Sequence, residues 1–344
     1  MIHLSFLILN GGAGMKTIRW GMIGCGDVTE VKSGPGFYKA AHSTLLGVTS
    51  RTLARAQSYA ERHGVPRVYP DVAALLADPE IDAVYIATPP AEHKPLAIAA
   101  AAAGKHVYVE KPMALDYAEC CDVIAACQSA DVRLFVAFYR RAMPRFLQVK
   151  QWLDSGAIGT VCTVSILQRQ KPASAELDPA TLPWRLRAEV AGGGKFLDMG
   201  VHVLDMLAYW FGAIQDVSGQ ASNRGGLYAV EDTVVASWHH ASGVSGLGNW
   251  CYVGHDDQDR VEITGTQGRI EFEFFADTPL RLVTAAGVQE VAISNPAHVQ
   301  LPFIQSMVDD LNGLAVCPGD ALSAAQTSAV ADKILASFLA GSTR

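Results

Sequence analysis

"DAVYIATPPAEHKPLAIAAAAAGKHVYVEKPMAL", residues 82–115, holds two short apolar runs separated by an alanine-rich stretch. The runs AVYIAT (83–88) and HVYVE (106–110) have the length of strands, and the stretch between them has the length of a helix. Strands that are apolar throughout suit a sheet buried on both faces, so the segment reads as a βαβ unit. The alternation continues in both directions. TIRWGMIG (17–24), TLLGVTS (44–50), a weaker RVYP (67–70) and RLFVAF (133–138) supply further strands. Between them lie TLARAQSYAERHG, with Thr52 as candidate N-cap and Gly64 as stop, DVAALLADPE (71–80), and DYAECCDVIAACQSAD behind a cap at Asp116. Right-handed crossovers leave few topologies for such a chain, and the doubly wound parallel sheet is the commonest.

Past Phe138 the texture changes. A helix is expected over 144–155, a strand in TVCTVSILQRQ (160–170), an irregular stretch over 171–194 and a helix over 196–210. Seven alternating runs then follow between 216 and 294, separated by turns rather than helices, which predicts a mainly antiparallel sheet. Helices near 302–314 and 321–340 close the chain. The expected fold is therefore α/β: a dinucleotide-type unit over 15–138, then an α+β unit over 139–344 with a large open sheet. The last helices are free to pack back on the first unit. The opening residues 1–14 read as an upstream extension before Met15, since they lack a basic n-region and an A-x-A cleavage site.

Composition excludes several classes of function. Half of the 344 residues are hydrophobic and 18% are charged, enough apolar material for a sizeable core. With a net charge of −7 and no basic stripe, nucleic acid is not an expected partner. The longest apolar run outside the first residues, LAIAAAAAG (96–104), is too short to span a bilayer, so no membrane partner is expected. The seven cysteines form no C-x-x-C pair, which fits a reducing cytoplasm.

The first βα turn reads MIGCGDVT, with Gly24-x-Gly26-x-x-Thr29. Gly24 suits a tight turn, and Gly26, Asp27 and Val28 would face a pyrophosphate at a helix N-terminus. Thr29 stands where a third glycine or alanine is usual, and KSGPG (32–36) interrupts the helix early. Most NAD binders end the second strand with an acid that reads the ribose hydroxyls. Here that place holds Ser50 and Arg51, with Arg55 one turn on, which favours NADP(H) over NAD(H). Thr88 and Pro89 end the fourth strand, where carboxyl-end loops line the crevice, and His93 follows as a ligand, proton carrier or packing residue. Lys111 ends the fifth strand beside Glu110, and Pro112 keeps the lysine backbone extended across the strand end. A lysine at a loop start is ordinarily a solvated charge; this one stands at a cofactor crevice.

In the second unit, GGGKFLDMGVHVLD places Asp198 and His202 four residues apart, on one face if helical, behind a glycine run that permits close approach to a ligand. Together with Asp205 the pair also raises a metal site, but no further ligand stands out and no metal is expected. A helix-stabilising polar pair is the other reading. His239 and His240 alternate on a strand and read as structural.

The combination of GMIGCGDV, residues 82–115 and GGGKFLDMGVHVLDML resembles the glucose–fructose oxidoreductase/inositol dehydrogenase/rhizopine-catabolism (Gfo/Idh/MocA) family, over nearly the whole chain. The resemblance implies a Rossmann domain, an α/β domain with a large open sheet, a nicotinamide dinucleotide, and a small-molecule substrate of the sugar, polyol or hydroxy/keto type. It makes Lys111 the family's E-K-P lysine and Asp198 and His202 its second-domain pair. The open sheet is a dimer surface in that family, so a homo-oligomer, dimer or tetramer, is expected. Thr29 and the KSGPG insertion depart from its phosphate-binding pattern. In this reading Lys111, alone or coupled to His202, moves the proton that accompanies hydride transfer, and Asp198 orients the imidazole or binds a substrate hydroxyl. Tyr139 and Arg140 would edge the same cleft, and Trp184 and Arg185 would reach it from the irregular stretch. The competing readings are a dinucleotide-binding sensor without turnover and a metal-dependent lyase or isomerase.

Overall fold

The computed structural model describes residues 15–341; the reading of 1–14 as an upstream extension lies outside them. Six strands form the first sheet: β1 Ile18–Ile23, β2 Ser43–Thr49, β3 Arg67–Val68, β4 Ala83–Ile86, β5 His106–Val109 and β6 Leu134–Val136. All pair in parallel, in the order β3-β2-β1-β4-β5-β6. The order reverses direction between β1 and β4, which opens a crevice at their carboxyl ends. Every residue of β4 is buried, as a central strand covered on both faces requires. The rings of Trp20, Phe37, Tyr85 and Tyr108 fill the space beneath helix Gly34–Lys39, with centroids 4.9–6.2 Å apart. Burying a side chain of this size contributes about 2–3 kcal/mol relative to leaving it in water.

The second sheet has eight strands: β7 Val161–Arg169, β8 Ile214–Ser222, β9 Thr233–His240, β10 Ser245–Cys251, β11 Gln258–Gly265, β12 Gly268–Phe272, β13 Leu280–Thr284 and β14 Gly287–Val291. Their order is β14-β13-β12-β11-β7-β10-β9-β8, antiparallel except where β7 meets β10. On β9, Val234, Ala236, Trp238 and His240 are buried while Val235, Ser237 and His239 face out. This alternation shows a sheet packed on one face only. His240 is structural: it accepts from Trp238 Nε1 at 2.9 Å and its Nδ1 lies 2.9 Å from the Gly212 carbonyl.

One continuous apolar core runs through both sheets, which holds the two units in contact. The closing helices, Leu301–Leu311 and Ala321–Gly341, return to the first unit, where Asp320 bridges to Phe135 beside β6. Gln300, just ahead of them, reaches the buried end of β5 through Tyr108 and Glu110.

Two expectations change in detail. Helix 196–210 begins instead as a π-turn, Phe196–Gly200, before helix Val201–Phe211. The wider turn is a common feature of functional sites. Stretch 171–194 is built from short 3₁₀ turns at Ser174–Glu176, Pro179–Thr181 and Trp184–Leu186, then the single turn Ala188–Ala191.

Candidate active site

The crevice starts at Gly24, whose φ of +102° turns the chain out of β1. A Cβ there would lie 2.8 Å from the Ala87 carbonyl, so any side chain would force the ends of β1 and β4 apart. Gly26 caps the short helix Asp27–Val31, and nothing lies within 4 Å of where its Cβ would stand. Asp27 is exposed and Val28 half-buried in the first turn of that helix. Thr29, in place of a third glycine, is buried: its hydroxyl donates to Gly26 O at 2.7 Å and its carbonyl accepts from Tyr59 at 3.0 Å. The substitution therefore braces the turn. KSGPG does end the helix early, at Val31, and a second helix, Gly34–Lys39, begins beyond it.

Around this turn the other crevice residues fall into place. Ser50 is half-buried and Arg51 exposed at the end of β2, and no carboxylate among the described residues pairs with Arg51. Thr88 and Pro89 leave β4 half-buried, and the Thr88 hydroxyl is buried without a hydrogen-bond partner among the described residues. A glycine cradle, open space over Gly26 and an unpartnered hydroxyl at the next strand end fit a dinucleotide laid across the switch point.

Two residues of this group are held by protein partners. His93 is fully buried, with Nδ1 2.8 Å from the Pro112 carbonyl and Nε2 2.8 Å from that of Thr88. Burial lowers its pKa despite these carbonyls, and its ring ties the loops after β4 and β5 together. Glu110 points into the first unit, where its carboxylate accepts from Tyr85 (2.6 Å), Gln300 (2.7 Å) and the Lys111 N–H (3.3 Å). Both brace the strand ends.

Lys111 crosses to the second unit. Its ammonium donates to Asp198 Oδ1 and to the Asp198 backbone carbonyl, each at 2.5 Å. The peptide bond to Pro112 is cis. Arg185 Nε lies 3.4 Å from the other Asp198 oxygen and stacks over Trp184 at 4.3 Å, so the irregular stretch does deliver both residues to the pair. A cavity of about 20 Å³ is lined here by Lys111, Asp198, Trp184, Arg185 and Gly194. A larger one, about 1030 Å³, passes Gln168, Met199, Asp259 and Phe275 and opens over the charged sheet edge. Lys111 does not line it.

Burial works against ionisation of Asp198, but Lys111, then Arg185 and Lys32, outweigh it and hold the carboxyl below its ordinary range. His202 is held well below the usual imidazole range by burial, reinforced by the charges of Lys111, Arg140 and Lys32. It is therefore neutral, framed edge-on by Phe138, Tyr139 and Phe275, with Nδ1 buried and unpartnered among the described residues. Tyr139 meets the imidazole edge-on, with ring centroids 5.5 Å apart. Arg140 is buried in an aromatic box of Tyr139, Phe146, Phe274 and Phe275, with Nε unpartnered among the described residues. Asp205 is taken by Arg141 in a bidentate pair at 2.8 and 2.6 Å and is not available as a metal ligand. Among the described residues no three His, Cys, Asp or Glu side chains are grouped to hold a metal.

Sequence reasoning passed over Arg141, Gln300 and Glu231. A cation after β6 and the Glu231–Asp232 pair were visible, but their partners lie far away in the chain.

A switch-point crevice, a lysine at its edge that meets a carboxylate of the open-sheet unit, and a buried imidazole one helical turn on are the features of an NAD(P)-dependent dehydrogenase acting on CH–OH groups. The chain belongs to the Gfo/Idh/MocA family of oxidoreductases: residues 18–138 match its NAD-binding Rossmann fold and 146–271 its C-terminal domain. It is 36% identical over 291 residues to "Oxidoreductase P35" of Formosa agariphila, covering 85% of this chain and 90% of that one. It is 30% identical over 278 residues to the myo-inositol 2-dehydrogenase of Thermotoga maritima, covering 78% and 79%. Levoglucosan dehydrogenase, solved with NADH and L-sorbose, superposes with a TM-score of 0.83 at 25% identity, over 95% of this chain and 98% of that one. No helix among the described residues is long and apolar enough to cross a membrane.

Proposed function

We propose that the protein interconverts a hydroxyl and a carbonyl on a sugar, polyol or cyclic diol, with NADP(H) preferred over NAD(H). The carrying observation is the meeting of Lys111, from the first unit, with Asp198, from the second, beside a neutral buried His202. The nicotinamide, when bound, supplies or accepts the hydride. Lys111 moves the matching proton: it donates to the carbonyl oxygen in reduction and accepts from the hydroxyl in oxidation, alone or relayed through His202. Asp198 holds the ammonium and offers its second oxygen to a substrate hydroxyl. Tyr139, Arg140, Trp184 and Arg185 bound the substrate. Gly24, Gly26, Asp27 and Val28 hold the pyrophosphate, Thr88 and Pro89 the nicotinamide ribose, and Ser50 and Arg51 a 2′-phosphate. Residues 15–138 act as the cofactor unit and 139–344 as the substrate unit. Copies of the chain pair through the outer face of the second sheet, where Val235 and Leu247 are half exposed. The work is done in the cytoplasm.

The test is a panel of sugars, polyols, dicarbonyls and aromatic dihydrodiols, with either cofactor followed by absorbance. Turnover of a hydroxyl or carbonyl compound supports the reading. Normal cofactor binding with no turnover on any member would favour a dinucleotide sensor.

A further inference from the structure

Behind the reactive pair sits a carboxylate without a cation. Glu231 is 1% exposed, and among the described residues no lysine, arginine or histidine forms an ion pair with it. Both of its oxygens face one donor, the Gly194 N–H, at 2.8 and 2.9 Å. Burial, opposed by backbone N–H groups, pushes its pKa up to about 7. A buried carboxylate with no counter-ion costs stability, and such groups concentrate at functional sites.

From Glu231 a short path leads to the reactive pair. Gly194 O accepts from Leu197 N at 3.1 Å, which starts the π-turn Phe196–Gly200 that carries Asp198. A Cβ on Gly194 would run into the Glu231 carbonyl and lie 3.0 Å from Oε1, so this glycine is fitted to that carboxylate. Glu231 is itself fixed from the sheet side. The next residue, Asp232, accepts from the N–H groups of Arg224 (2.9 Å) and Gly225 (2.7 Å) and from the Thr233 hydroxyl (2.8 Å), where β9 begins. Lys195 and Glu176 pair with each other at 2.7 Å and leave Glu231 to Gly194.

We propose that Glu231 is a positioning residue: its carboxylate anchors the Gly194 turn to the second sheet and thereby sets Asp198 against Lys111. The inference rests on the reading of Lys111 and Asp198 as the reactive pair, but its test uses no substrate. Lys111→Met, Asp198→Asn and the double variant form a cycle measured by reversible unfolding, in wild type and in Glu231→Ala. The Lys111–Asp198 coupling should disappear in Glu231→Ala and return in Glu231→Gln, whose amide oxygen still accepts the Gly194 N–H. A merely structural Glu231 would lower stability and leave the coupling intact, which overturns the proposal. If Glu231→Ala does not fold, Glu231→Met fills the same space without an acceptor for the Gly194 N–H: loss of coupling there supports the proposal, and unchanged coupling overturns it. A substrate panel without turnover would sink the functional reading while the cycle's answer stands.

Discussion

Segment 196–211 presents two carboxylates seven residues apart, and each meets a cation that follows a strand of the first sheet. Asp205 takes Arg141, which follows β6; Asp198 takes Lys111, which follows β5. The pairs share an architecture and differ in everything that decides function. Arg141 and Asp205 are 4% and 1% exposed, and Arg141 also donates to Pro318 O at 2.9 Å and the Ser323 hydroxyl at 2.6 Å. Asp198 is a third exposed and borders a cavity that Lys111 shares. The planar Arg141 guanidinium, which also reaches Pro318 and Ser323, fastens helix Val201–Phe211 to its surroundings within the second unit, whereas Lys111 sits on a flexible stem beside a cavity and joins the two units. The difference between brace and reactive pair lies in exposure and in which cation is used.

The largest effect should come from Lys111→Ala. Loss of positioned acid–base chemistry costs about 10²–10⁴ in rate. Cofactor affinity should stay within a few-fold, and the protein should still fold, with a stability loss no larger than the Lys111–Asp198 coupling. Turnover near the wild-type value would remove Lys111 from the mechanism and erase the contrast with Arg141.

Asp205→Ala should act the other way round. Breaking a buried pair by removing one partner costs about 3–5 kcal/mol, because the remaining charge is stranded. Denaturant unfolding should report that loss, while kcat per folded molecule stays close to wild type. A destabilisation below about 1 kcal/mol would show that the pair is no brace.

His202 lies between the two cases. His202→Asn should lower kcat by about 10² with cofactor binding unchanged. It should also change the pH dependence of stability. The folded protein holds His202 neutral, whereas the unfolded chain binds a proton at about pH 6.5. His202 thus contributes stability above that pH, and the contribution is lost as pH falls below it. Between pH 7 and 5 the wild type should lose more stability than His202→Asn. Parallel melting curves would contradict the neutral imidazole, and failure of the variant to fold would favour a structural Asp198–His202 pair.

The residues of the proposed site stood out in the sequence one by one, whereas the contact of Lys111 with Asp198 and the Arg141–Asp205 brace did not, for a physical reason. Lys111, Asp198 and His202 stand in local patterns, a strand end before proline and a glycine run before a helix, so their positions follow from short-range rules. Arg141 and Asp205 are 64 residues apart, and only the packing of the turn Tyr139–Ala142 against helix Val201–Phe211 brings them together. Side-chain direction is the other feature that chain position does not give. Glu110 turns inward to Tyr85 and Gln300, and His93 is enclosed between two loops. Alternation at a strand end sends neighbouring residues to opposite faces, and which face lines a crevice depends on what covers the sheet. The fold itself was readable because the first sheet repeats one unit; the π-turn that carries Asp198 has no such repeat behind it.

The smallest effect concerns a cation with no carboxylate at all. Arg51 stands at the end of β2, where an NAD binder usually has an acid, and its side chain is exposed and unclaimed by any carboxylate among the described residues. An acid there would repel a 2′-phosphate; a guanidinium can meet it with charge-assisted, bidentate hydrogen bonds. Such a bond contributes about 1.5–3 kcal/mol, and solvent exposure argues for the lower end, roughly tenfold in affinity. Arg51→Ala should therefore weaken NADP binding about tenfold and leave NAD nearly unchanged, as read by titration calorimetry with both cofactors. The same titration of the wild type is the sharper test, because it asks whether the missing acid has been replaced by a function or merely lost. Tighter NADP would give the molecule a third kind of cation, neither brace nor proton carrier but a reader of phosphate. Equal affinities, or tighter NAD, would leave Arg51 a solvated residue at the start of helix Leu53–His63.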